Sequence, residues 1–308
     1  MGFILALLSS ILLFLSTYLF YKWSDRNGLC KAYALLTFSL SLWCLFLFLG
    51  QVHFSPPIRI LIVNLTPIPI LFVPSLATYI VVNYTRPYDL LSPPKILTAI
   101  HIVAVISLSM LCLIGEVSPA YAEGAEVRFR ASASYYFVVG YIYFSLFAAL
   151  GVITYNLFFG NYFVRLHSLY LFVGILLACV LSAIFVVFLP LFGIYLNSLA
   201  AVGMLAFLWF SWIPVTKYRL FTTELTDFGK DFRNPTLSSV IVAINRFLLN
   251  TMDPKAFKEI CDQFESARSE EAFALQAEML LESAYTKEGS ISNHIRKYSK
   301  KVTNLFIA

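Results

Sequence analysis

Asn64, Pro67, Pro69, Tyr136, Tyr143, Asn197 and Trp43 are the residues whose types and spacing point to a chemistry, and that chemistry is recognition rather than catalysis. Asn and Tyr offer directional hydrogen bonds. A proline withholds its amide N–H and frees the carbonyl four residues earlier, and Trp43 supplies a large apolar face. Held together in an apolar body, such groups suit a pocket for a small, largely apolar ligand. They also suit plainer roles, asparagine bonding to a neighbouring helix and tyrosine sitting in an interfacial aromatic belt. His101 and His167 have no second histidine or carboxylate at metal-ligand spacing, so both read as hydrogen-bonded interfacial histidines rather than haem or metal ligands. Cys30, Cys44, Cys112, Cys179 and Cys261 form no CxxC pair, which argues against a zinc site or a disulfide framework. No metal, cofactor or catalytic residue is expected, and no enzyme.

The elements that must position these groups follow from composition. Of 308 residues, 59% are apolar and 13% charged, where a soluble domain averages about 45–50% and about 25%. The charges are segregated. Nine Lys/Arg and five Asp/Glu fall in residues 1–214, thirteen and twelve in residues 215–308. Apolar runs long enough to cross a bilayer as helices occur at about 3–21, 31–50, 58–84, 95–115, 134–157, 165–189 and 194–214. The expected fold is therefore an all-α membrane protein, a seven-helix bundle over residues 1–221 with a small helical domain over residues 222–308. Span three carries Pro67, Pro69 and Pro74 and should kink. Spans six and seven should form a hairpin around Pro190 and Gly193. Trp43 then lies near the middle of span two, while the other six candidates share the outer half of spans three, five and seven, the geometry of a shallow, outward-facing pocket.

No Asp, Glu, Lys or Arg sits deep inside any span. Proton pumps, ion-coupled transporters and voltage sensors need such charge, and a retinal Schiff base needs a lysine in the last span, so these functions are excluded. No internal repeat is visible, which weakens an inverted-repeat transporter. Loop charge sets orientation. Lys22, Arg26, Lys31, Arg86, Lys95, Arg165, Lys217 and Arg219 lie on one side, against Arg59, Arg128 and Arg130 on the other. That predicts the N-terminus outside and the C-terminus in the cytoplasm. The first span lacks a basic n-region and a small-residue cleavage site and reads as a retained span rather than a signal peptide. The net charge of +5 is mostly this loop charge, and nucleic acid is not an expected partner.

Several local strings then resemble a known family. Ser41-Leu42-Trp43 in span two, the proline-rich middle of span three, Asn83-Tyr84-Thr85-Arg86-Pro87 at its end, and Lys217-Tyr218-Arg219-Leu220-Phe221 after span seven resemble the N-terminal seven-helix sensor region of bacterial histidine kinases and related signalling proteins. The resemblance implies a bundle in a bacterial cytoplasmic membrane that senses a ligand or membrane state and signals to a cytoplasmic output module, usually a kinase core, a cyclase or a phosphatase. Residues 215–308 depart from that pattern. They hold two glycines, Gly229 and Gly289, and one histidine, His294, in Asn293-His294-Ile295-Arg296-Lys297. A kinase core needs a glycine-rich lid and a phosphoacceptor histidine followed by an acid and a later proline. The stretch is also short for such a core, and no GGDEF string is present.

The tail instead reads as four short helices, starting at Asn234-Pro235, at Asp253-Pro254, around Phe273 and at Ser290. In the last, Ile295, Tyr298, Val302 and Leu305 share one face beside Arg296, Lys297, Lys300 and Lys301. That face is a candidate partner or homodimer surface. A membrane-surface helix, a DNA-reading helix and a plain bundle helix fit the same pattern. About 70 residues give a marginal core, which docking on a cytoplasmic kinase or regulator, or dimerisation, would complete. The expected function is a multi-pass membrane sensor without a kinase core of its own. A small-solute uniporter and a membrane assembly protein are the alternatives.

Overall fold

In hydrocarbon each backbone N–H and C=O must be paired within the chain, so long apolar segments have helix as their stable form. The computed structural model describes residues 2–23, 28–85, 89–123, 126–129, 131–160, 162–194, 196–216 and 254–285. Among them, six helices are long and apolar enough to cross a membrane: Gly2–Lys22, Gly28–Leu49, Pro56–Asn83, Lys95–Ile114, Ala133–Phe159 and His167–Leu191. The seventh span is a 3₁₀ turn at Asn197–Ala200 that continues as an α-helix over Ala201–Thr216. The fold is the expected all-α transmembrane bundle. The chain divides into two compact units, Met1–Thr223 and Glu224–Ala308.

Within the first unit, spans one, two, three, five, six and seven are neighbours in that order, and span seven closes against span one. Their shared core includes Leu13, Leu29, Trp43, Ile80, Ile153 and Phe207. Span four stands outside this ring. It joins spans three and five through Leu71, Leu108, Cys112, Val138 and Ile142, and turns Ile96, Ile100, Val103, Ile106 and Leu113 outward, as a lipid-facing helix should.

Lipid tails are as apolar as leucine, so helix association in a bilayer relies on close backbone approach and on hydrogen bonds. Both devices are present. Ser10 donates to the Ser41 carbonyl at 3.0 Å and Ser41 to the Ser10 carbonyl at 2.8 Å, joining spans one and two. Thr17 and Thr37 pair at 2.9 Å further along the same interface. A Cβ on Gly203 would stand 3.1 Å from the Ala178 carbonyl oxygen, so glycine there lets spans six and seven touch. His101 meets Tyr141 at 2.9 Å and Thr78 at 3.3 Å, and thereby links spans four, five and three as a hydrogen-bonded histidine.

The prolines act as their chemistry requires. Span three is broken into Pro56–Leu65, Pro67–Ile70 and Val73–Asn83. At its end, Asn83 donates to the Leu91 carbonyl at 3.0 Å and accepts from the Leu91 N–H at 2.7 Å. Tyr84 pairs with Ser168 at 2.6 Å and accepts from Asn156 at 2.9 Å. These bonds give the Asn83-Tyr84 string a physical role, fixing the 3–4 turn against spans five and six. In span six Pro190 has no N–H to offer the Val186 carbonyl. The helix widens into a π segment over Ala183–Phe188, and the Tyr135 hydroxyl donates to that carbonyl instead. Gly193, at φ +75°, takes the left-handed turn into span seven.

Two features differ from the sequence expectation. A two-stranded antiparallel hairpin, Ala120–Glu123 with Glu126–Phe129, sits between spans four and five; strands of four residues are too short to declare a period of two. In the second unit, Pro254–Tyr285 is one helix of 32 residues, so the second and third predicted tail helices are continuous. No proline or glycine interrupts that stretch after Pro254, and in the run Glu265–Glu271 that separates the two apolar stripes five of the seven residues, Glu265, Ala267, Arg268, Glu270 and Glu271, are good helix formers. The first and fourth predicted tail helices lie outside the described residues.

Candidate functional site

The ring of spans encloses a cavity of about 590 Å³, lined by spans two, three, five, six and seven. Its mouth lies at the end where spans three, five and seven begin. Gln51 and His53, both exposed, and the half-buried Arg59 line that end. Ser118, Asn197 and Ser198 line it as well. From Gly50 the wall descends span two through Leu47, Trp43, Leu40 and Leu36 to Tyr33. The seventeen steps from Tyr33 to Gly50 cover about 25 Å at 1.5 Å per residue. The sequence predicts a shallow pocket; the cavity instead reaches most of the way along the bundle.

The spacing of the lining follows from helical periodicity. Tyr135, Val138, Val139, Ile142, Tyr143 and Leu146 form a single stripe on span five. Leu171, Ile175, Ala178, Cys179, Ser182 and Val186 do so on span six. On span three the broken middle brings Thr66, Pro67, Ile70 and Val73 to the cavity. Thr66 N–H bonds the Ile62 and Val63 carbonyls at 3.0 and 3.3 Å, tightening the helix just before Pro67. Two polar links cross the walls. Tyr143 and Ser182 pair at 2.9 Å at mid-depth, and Tyr33 pairs with Ser211 at 2.6 Å near the floor, joining span two to span seven.

Of the residues singled out from sequence, Trp43, Pro67, Tyr143 and Asn197 line this cavity, whereas Asn64, Pro69 and Tyr136 do not. Asn64 faces span four: a Cβ on Gly115 would stand 3.0 Å from its Nδ2. Gly115 sits at φ +84° in the C-cap of that span. Pro69 is buried in the helix packing, and Tyr136 falls just beyond the edge of the span-five stripe with 40% of its surface exposed. Tyr135, one position earlier, faces the cavity in its place. The candidate partner surface, Ile295, Tyr298, Val302 and Leu305, lies outside the described residues.

Arg59, His53, Tyr135 and Ser182 are lining residues that sequence reasoning missed. Arg59 had a signal, a guanidinium at the fourth position of a span that opens on Pro56-Pro57, but as a loop charge it counted only toward topology. Ser182 had none, since serine in an apolar helix commonly bonds its own backbone.

A polytopic helical bundle with an internal cavity of this size, mostly apolar walls and a polar mouth has the form of a membrane receptor. A family model described as the N-terminal 7TM region of histidine kinase matches residues 4–223, and the chain belongs to that family. No match was found among curated proteins or among solved structures. The matched region is a non-catalytic sensor domain, and the protein is a multi-pass membrane sensor.

Proposed function

We propose that the bundle binds a small, largely apolar ligand in the cavity between spans two, three, five, six and seven, and that span seven passes the resulting shift to a cytoplasmic histidine kinase or response regulator through residues 222–308. The cavity is the observation that carries the reading: a sensor family's bundle with a ligand-sized internal space that opens at one end. The excess of basic residues in the loops at the opposite end supports an outward-facing mouth and a cytoplasmic tail. Signalling of this kind requires that the ligand bind two arrangements of the helices unequally. The Tyr33–Ser211 bond, between the cavity floor and span seven, is a contact that two arrangements would treat differently.

The relay is tested by purifying the full chain from cross-linked membranes and identifying what it carries. The expected product is a histidine kinase or response regulator whose phosphorylation changes when residues 222–308 are deleted. If no such protein is recovered, or its phosphorylation ignores the deletion, the relay reading fails. Saturable solute flux into proteoliposomes would support the uniporter reading instead. Cysteine accessibility at the two ends of the bundle tests the orientation.

A further inference from the structure

Mouth and shaft of the cavity differ in chemistry, and the difference specifies a ligand. Arg59 is the only charged side chain among the described lining residues. A guanidinium offers five N–H donors, more than one partner takes up, and where it is half-buried it favours an anionic acceptor. At the same mouth the side-chain oxygen of Asn197 is buried and receives no hydrogen bond from any described residue. A buried acceptor in that state calls for a donor. Below them the walls of the shaft are apolar over a long, narrow path, through Leu40, Val73, Ala77, Ile175 and Met204, which suits an extended hydrocarbon chain.

We infer that the cavity takes a single-chain amphiphile with its carboxylate at Arg59, an adjacent amide N–H or hydroxyl donating to Asn197, and its alkyl chain along the shaft. The inference rests on reading this cavity as the sensor's ligand site and deepens it by naming the ligand class. N-acyl amino acids and hydroxy fatty acids both carry this chemistry. A volume of about 590 Å³ suits one chain and not a two-chain phospholipid.

The test is equilibrium binding to the full chain in nanodiscs, with N-dodecanoylglycine, 3-hydroxydodecanoic acid, the methyl ester of each, and dodecanol as probes. Preference for the first or the second acid identifies the source of the donor. The expected result is that an acid binds at least about tenfold more tightly than its ester, a difference in keeping with one charge-assisted bond. Arg59→Gln should abolish that acid–ester difference, and Ala77→Phe, which fills the shaft, should weaken every probe. Equal binding of acid and ester, full acid affinity in Arg59→Gln, or no binding by any probe overturns the inference. Where Arg59→Gln does not accumulate, the acid–ester comparison in the unaltered chain decides. A dye on Cys261, the only cysteine of residues 215–308, separates this inference from the sensor reading. A neutral probe that alone binds and alters the dye signal overturns the head-group assignment and leaves the sensor standing. Arg59-dependent acid binding with an unchanged dye supports the assignment and counts against the relay.

Discussion

At the scale of single residues, the two asparagines that look alike in sequence have different surroundings and should behave differently. Both have a buried side-chain oxygen with no hydrogen bond from a described residue, but only Asn197 borders the cavity, so Asn197→Leu should weaken binding of a donor-bearing amphiphile about fivefold, the worth of one net hydrogen bond. Asn64 packs against the Gly115 cap of span four, away from the lining, so Asn64→Leu should leave the binding curve in place. A binding titration on both variants is the check, and a shifted curve for Asn64→Leu alone would mean that the cavity is not the site. Tyr135 bears on stability. Its hydroxyl satisfies the Val186 carbonyl that Pro190 leaves without an N–H, and Tyr135→Phe should cost about 0.6–1.7 kcal/mol, between the average and the largest value for interhelical hydrogen bonds in a membrane. Unfolding in mixed micelles measures it. Types of residue were legible at this scale, but the side of the helix was not. Tyr135 and Tyr136 both lie seven or eight positions before Tyr143, and either spacing keeps a residue close to one face. One position of rotation, about 100°, decided which of them reached the cavity.

Elements were more legible, because hydrocarbon leaves a chain few options. All seven spans begin and end within a few residues of their apolar runs, and the break in span three was written in Pro67, Pro69 and Pro74. The π segment of span six was not legible. Pro190 marked a turn in the sequence, but the widening upstream depends on a hydroxyl supplied from span five, a tertiary partner that no local pattern announces. Glycines were legible as residues and not as contacts. Gly203 stands against the backbone of span six, so Gly203→Val should force spans six and seven apart at a cost of about 1–3 kcal/mol, as overpacking does. Gly140 lies on span five, and a Cβ added there would meet nothing within 4 Å. It should accept alanine with no loss or a gain of up to about 1 kcal/mol. Thermal unfolding of the two variants side by side checks the pair. Equal destabilisation would mean that close approach of spans six and seven does not hold the bundle.

For the whole molecule, the arrangement of the ring determines where a bound ligand can act. Span four lies outside it and shares no lining with the cavity among the described residues, whereas span seven lines the cavity through Asn197, Met204 and Phe207 and continues from there toward the charged tail. Ser211 is one helical turn past Phe207, is not part of the lining, and holds Tyr33 on span two at 2.6 Å. It also donates to the Phe207 carbonyl at 2.7 Å, which places it at the junction of floor, span two and span seven. A ligand that moves Tyr33 or Phe207 must strain or remake that junction. Ser211→Ala removes the hydroxyl without touching the ligand walls, so it should shift the balance between the helix arrangements and not the contacts made to the ligand. The ligand concentration giving half-maximal dye response at Cys261 should then change by about 2- to 30-fold, corresponding to coupling changes of about 0.5–2 kcal/mol. The amplitude at saturation should persist. A response curve identical to that of the unaltered chain would mean that the span two–span seven bond takes no part in the relay, and the path to the tail would have to run through spans five and six, where Tyr143 and Ser182 make the corresponding bond.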